Sequence, residues 1–169
     1  MKSTEELKNR ALALLEERGI CLNDLAELVL YLQNKYIPDL KIEDCLPHVK
    51  AVLEKREVQN TIITGIEIDK LAEAGKLSQP LNDILMSDEG LYGIDEIMAL
   101  SIVNVYGSIG FTNYGYIDKV KPGIIKQLDT KKDGQCHTFL DDIAGAIAAA
   151  AASRLAHSDP SKSAITNRI

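Results

Sequence analysis

The chain has 169 residues, a length that fits one domain and can bury a sizeable core. Its formal net charge of −6 argues against a general nucleic-acid binder and against electrostatic capture by an anionic membrane. Hydrophobic residues make up 46%, yet there are only 2 Phe and no Trp, so the core must come from Leu, Ile, Val and Ala, which suits packed helices.

Ser3 to Arg18 reads as a first helix, with Ser3 and Glu6 at capping-box spacing and Gly19 as a stop. Asn23 or Asp24 caps a second helix, whose Leu25, Leu28, Val29 and Leu32 repeat at helical spacing, and Pro38 ends it. A helical turn is expected around Ile42 to Leu46. Pro47 then opens a long helix whose apolar positions run from Val49 to about Ala74, weakest at Thr61–Gly65, where a kink is expected. Glu67 and Asp69 on it could reach a bundle interior, but solvated positions are the preferred reading.

Pro80 to Met86 is a short helix, and Ser87 to Gly93 a loop with two acids and two glycines. Ile94 to Tyr106 reads as a buried helix, although its Ile and Val content leaves a strand open, and Gly107 and Gly110 read as punctuation. Tyr114 to Gly123 reads as a short helix stopped by Pro122, and Ile124 to Leu128 begins another. Lys131-Lys132-Asp133-Gly134 is a turn.

His137 to Ala152 follows, the stretch around which the chain is organised. Alanine is the best helix former, Gly145, Ala149 and Ala152 fall on one face, and an all-round apolar helix reads as central and buried. The fold class is all-α, a bundle of roughly six or more helices around this Ala-rich one. Residues 1–157 are expected to form one domain and 158–169, rich in Ser, Asp, Pro and Lys, a flexible tail.

Cys21, Cys45 and Cys136 are odd in number and lack C-x-x-C pairing, so they form neither a disulfide framework nor a zinc knuckle. Lys2, Glu5, Glu6, Lys8 and Arg10 break up the N-terminus, against a signal peptide. No apolar run is read as approaching the roughly 18 residues of a membrane span. A reduced, cytoplasmic protein is expected.

Acids recur at the edges of apolar segments. Asp95-Glu96 opens one apolar helix, Asp118 lies before Lys121-Pro122, and Asp141-Asp142 opens the central helix. Carboxylates beside core positions must be paired, capping or metal-bound. One reading is that each pair complements a helix N-terminus. The other is that they share a cation, and hard oxygen donors without a Cys or His cluster suit Mg²⁺.

Three features in order resemble the phosphatidylglycerophosphatase A family: Asp95-Glu96 after the loop from Asp88, Asp118-Lys119-Val120-Lys121-Pro122 as D-x-x-K-P, and Asp141-Asp142-Ile143-Ala144-Gly145 as D-D-x-x-A-G. The resemblance spans roughly Thr64 to His157 and is closest to soluble Gram-positive relatives. It implies Mg²⁺-dependent hydrolysis of the phosphomonoester of phosphatidylglycerophosphate or a related phosphate ester. It also implies Asp95, Glu96, Asp141 and Asp142 as metal ligands and Asp118 and Lys121 as catalytic-site residues, with Lys121 toward phosphate. The family's G-T-x-G-S element has no counterpart; the corresponding region reads Tyr36-Ile37-Pro38-Asp39-Leu40-Lys41. Its membrane-spanning helices are also missing, which leaves a soluble ester or a lipid reached by peripheral contact at the inner membrane face.

Other phosphatase chemistries lack their motifs: no Cys precedes an Arg by six positions, and there is no D-x-D, G-x-x-x-x-G-K-[ST] or G-x-S-x-G. His137 shares a face with Asp141 if the helix starts early, and otherwise is a loop histidine. Cys136 reads as a small packed residue. The competing class is a non-catalytic helical binding or structural protein whose acids are caps. Apolar helices such as Ile97 to Val105 predict a homo-oligomer.

Overall fold

The computed structural model describes residues 4–130 and 134–158. They form helices α1 (Thr4–Glu17), α2 (Leu22–Gln33), α3 (Ile42–Leu53), α4 (Arg56–Glu73), α5 (Leu81–Ser87) and α6 (Ile94–Val103), then a 3-10 turn (Asn104–Tyr106), α7 (Gly107–Val120), α8 (Ile124–Asp129) and α9 (Leu140–Ser158). The protein is all-α, as the composition predicts.

Helix α9 is the axis. Helices α2, α3, α4, α6, α7 and α8 pack on it, while α1 rests on α4. Every residue of α9 from Leu140 to Ser153 is buried. Alanine side chains keep the helix thin, so several neighbours approach it at once, and high propensity keeps it helical in that crowded setting. Ser153 satisfies its hydroxyl by donating to the Tyr106 carbonyl at 2.9 Å.

The single helix expected from Val49 to Ala74 is two. The break falls at Glu54–Lys55, and the buried Gln59 amide donates to the Leu53 carbonyl at 2.9 Å, satisfying one group freed at the end of α3. Pro47 lies inside α3 rather than opening a helix. Helix α4 runs without a break through Thr61–Gly65. Thr61 and Thr64 return their hydroxyls to the Glu57 and Asn60 carbonyls at 2.9 and 2.7 Å. Gly65 serves close packing instead: a Cβ there would collide with Ile143 Cδ1 and come within 3.0 Å of Phe139 Cβ. Helix α2 starts at Leu22, with Asp24 in its first turn accepting the Cys21 N–H at 2.7 Å rather than acting as the cap.

The segment 94–106 is not buried throughout, because Ile94 and Ile97 of α6 and Val105 of the 3-10 turn are exposed. Gly107 and Gly110 lie within α7, which replaces the shorter helix expected from Tyr114. The stretch Ile94–Val120 is long and apolar enough, by length and composition, to cross a membrane. Gly107, at φ 68 and ψ −162, breaks it into two pieces that both pack on α9.

Helix α9 runs through Ser158, so the expected tail does not begin at that residue. Its remainder, 159–169, lies outside the described residues, as do Ser3 of the expected capping box and Lys131-Lys132-Asp133 of the expected turn.

Candidate metal centre

Asp141 and Asp142 stand in the first turn of α9, where the helix N-terminus favours negative charge. Asp95 and Glu96 stand in the first turn of α6, which the chain enters through Gly93 at φ 72, a backbone state that glycine adopts without steric cost. Asp118 lies in the last turn of α7, and Lys121 follows as its left-handed cap (φ 48, ψ 58). Strained backbone at a non-glycine residue needs support from its surroundings, and here the Lys121 ammonium is held by three carboxylates. It lies 3.0 Å from Asp141 Oδ2 and 3.4 Å from both Asp118 Oδ1 and Asp129 Oδ1.

These elements meet in one polar cleft of about 110 Å³, lined by Asp88, Glu89, Gly90, Asp95, Glu96, Asp118, Lys121, Thr138, Asp141 and Asp142. All six residues singled out in the sequence therefore line the same cleft. Carboxylate oxygens of Asp95, Glu96 and Asp142 lie within 4.8 Å of one another. Asp141 is turned instead to Lys121.

The electrostatics are those of crowded acids. Burial, followed by the neighbouring Asp141 charge, pushes Asp142 up to about 8, although Tyr114 pulls the other way. Burial and a shared hydrogen bond with Glu96 push Asp95 up to about 7. Burial raises Asp141 to about 6 against the pull of Lys121. Burial works against the Lys121 charge, but Asp141, Asp118 and Asp129 outweigh it and hold the ammonium protonated. Glu96 Oε2 is buried without a hydrogen-bond partner. An all-oxygen donor set, an orphaned carboxylate oxygen and acids that retain protons together fit a hard divalent cation.

Histidine 137 does not join the cleft. Helix α9 begins three residues later, and the ring contacts Arg18 (3.2 Å) and Gln135 (3.3 Å). Cys136 is packed as expected, and burial pushes its thiol and that of Cys45 up to about 11, which disfavours a thiolate nucleophile.

Asp88 and Asp129 were not singled out. Asp88 lies in the two-acid loop and has left-handed backbone (φ 55), a state no sequence pattern announces. Asp129 ends a six-residue helix, and its link to Lys121 exists only once α7 and α8 fold together. Asp69, read as solvated, is wholly buried and accepts the Phe139 and Leu140 N–H groups; Glu67 does lie at the surface, paired with Arg10.

The sequence profile of phosphatidylglycerophosphatase A matches residues 12–157, so the chain belongs to that family, and the match reaches further toward the N-terminus than Thr64. It is 63% identical over 152 residues to the uncharacterized protein YutG of Bacillus subtilis, covering 90% of this chain and 92% of that one. Among solved structures, the low temperature requirement C protein of Listeria monocytogenes superposes with a TM-score of 0.88 at 64% identity, covering 90% of this chain and 96% of that one. The protein ypjQ of Bacillus subtilis gives 0.89 at 51% identity, covering 93% and 97%.

Proposed function

We propose that this member of the phosphatidylglycerophosphatase A family is a Mg²⁺-dependent phosphomonoester hydrolase acting on phosphatidylglycerophosphate or a related phosphate ester. The observation that carries the reading is the convergence of Asp95, Glu96 and Asp142 on one point beside Lys121. Acids serving only as caps would have no reason to meet.

Asp95, Glu96 and Asp142 would hold the ion, with Asp141 completing the acidic set. Bound there, Mg²⁺ supplies neutralisation of phosphate charge and activation of water. Lys121 is the phosphate-binding group: its ammonium is kept charged and its side chain is 31% exposed, so it can reach ligand. Asp118 and Asp129 also hold it, at 3.4 Å each. Positioning and charge neutralisation supply most of the rate in phosphoryl transfer, and a cleft this rich in charge on rigid helix ends suits that task.

The aliphatic side chains Leu91, Ile94 and Val120 are exposed next to site residues Gly90, Asp95 and Lys121, which supports an ester with an apolar body. Exposed Ile97 and Val105 on the outer side of the same region support self-association, which sedimentation at micromolar concentration tests. Residues 1–157 would act as one catalytic unit in the cytoplasm.

The test is phosphate release from a panel of phosphomonoesters, including phosphatidylglycerophosphate in detergent micelles, with and without Mg²⁺. Release that needs Mg²⁺ and disappears in Asp142→Asn supports the reading. A protein inert to the whole panel would point to the non-catalytic alternative.

A further inference from the structure

We infer that Asp69 is a positioning residue for the acidic cleft: from near the C-terminal end of α4 it fixes the first turn of α9, and so the direction in which Asp141 and Asp142 leave that helix. The catalytic meaning of those acids rests on the function proposed above; the positioning does not.

The first N–H groups of a helix have no partner within it. At α9 they are taken by Asp69, whose side chain accepts Phe139 N–H at 3.2 Å (Oδ1) and 3.3 Å (Oδ2) and Leu140 N–H at 3.1 Å (Oδ2). The Cys136 thiol donates to Asp69 Oδ1 at 3.5 Å. Asp69 is 0% exposed. An ordinary cap is a short polar residue just before the first helical one; here Phe139, without a polar side chain, holds that place, and Thr138 stands one residue earlier. Its hydroxyl donates instead to the Leu85 carbonyl at 2.8 Å. The capping task has passed to a carboxylate on another helix, where burial makes its charge costly. A local cap would serve stability alone. A cap from α4 also ties the turn to the rest of the bundle.

The same segment is held from further directions. Arg18 Nη2 donates to the Cys136 carbonyl at 2.6 Å, and the Cys136 N–H donates to Glu73 Oε1 at 2.8 Å. Arg18 and Glu73 also pair with each other through two hydrogen bonds, at 2.6 and 2.9 Å. Residues 136–140 thus hang from α1, α4 and α5. Asp141 N–H donates to the His137 carbonyl (3.3 Å) and Ile143 N–H to that of Phe139 (3.0 Å), so the acids inherit the orientation of the anchored segment. Each residue step turns a helix by about 100°, so a small rotation of this turn redirects both carboxylates.

The experiment compares full-length wild type, Asp69→Asn and Val58→Ala, a cavity variant in the same helix whose side chain is buried and lines no part of the cleft. Two quantities are read: metal-free amide exchange and chemical shifts by NMR, and Mn²⁺ affinity by titration. Asn keeps one acceptor oxygen, so exchange at Phe139 and Leu140 should quicken about 10-fold or more, with shift changes centred on residues 139–143. Mn²⁺ affinity should fall about 10–100-fold, the usual consequence of losing a group that orients a ligand. Val58→Ala should lower the melting temperature and leave both readouts unmoved. Wild-type exchange and shifts in Asp69→Asn, or the same changes in Val58→Ala, overturn the inference. Should Asp69→Asn not fold, Asp69→Glu is read by the same criteria, since its added methylene must displace the turn. If wild type itself binds no Mn²⁺, the proposed function fails, while the exchange and shift data still decide the positioning role.

Discussion

The ammonium of Lys121 lies 3.0 Å from Asp141 Oδ2, an internal ion pair at the edge of the acidic cleft. Among the described residues lining that cleft, Lys121 is the one cation amid seven carboxylates. It neutralises part of a charge cluster that would otherwise oppose folding, and it occupies the place where a substrate phosphate would be met. Under the proposed function the same residue would serve stability without ligand and binding with it.

Replacing Lys121 with Met keeps the apolar stem and removes the charge. Asp141 is then left buried without its partner, which costs about 1–3 kcal/mol at neutral pH. Urea unfolding in the presence of a chelator measures this. Phosphate release in the variant should show a raised KM, because the lost contact is to the phosphate itself.

Asp142→Asn separates the two readings of the acid pairs. Asn is nearly as good as Asp near a helix start, so a capping role predicts little change of any kind. A ligand role predicts loss of Mg²⁺-dependent phosphate release, with an unchanged or raised melting temperature in chelator because like-charge repulsion is relieved. Wild-type rate and Mg²⁺ dependence in the variant would remove Asp142 from the metal site.

The stability of the metal-free protein should fall as pH rises. Asp141, Asp95 and Asp142 are raised to about 6, 7 and 8 in the folded state, whereas in the unfolded chain they titrate near the ordinary carboxyl value. Between about pH 4 and 8 the folded state binds more protons than the unfolded state, so the slope of unfolding free energy against pH is negative there. These groups impose no penalty below about pH 4 and their full penalty above about pH 8. Melting temperatures in chelator across that range should decline. Added Mg²⁺ should restore more stability at pH 8 than at pH 5, since fewer protons then compete for the same oxygens.

Two glycines give opposite expectations for the same substitution. Gly65→Ala places a methyl group against Ile143 and Phe139 at the α4–α9 contact, and overpacking of this kind costs about 1–3 kcal/mol. Gly145→Ala meets Ile117 Cγ2 at 3.4 Å and Ile125 Cδ1 at 3.5 Å, ordinary contact distances, and gains helix propensity. It should be close to neutral. Paired thermal melts distinguish the two.

Local chemistry was readable from the sequence alone. The all-α class follows from aliphatic residues at helical spacing, and the Ala-rich segment announces itself as the central helix because no other surface suits so small and apolar a face. Six candidate residues could be named because they sit in short patterns, Asp95-Glu96, Asp118 with Lys121, and Asp141-Asp142, that are local and carry the family resemblance. What pairs with what was decided by the tertiary structure. Nothing near Asp69 marks it as buried, since its partners, the N–H groups of Phe139 and Leu140, lie about 70 positions away and meet it only when α4 packs on α9. Gly65 has the same history: a helix-weakening residue by propensity, it is required by the close approach of Ile143. The outward-facing Ile94 and Ile97 reverse the expectation of a buried helix for a related reason. Hydrophobicity sets the tendency to be covered, whereas the number of neighbours a helix actually has is settled by the packing of the whole bundle around α9.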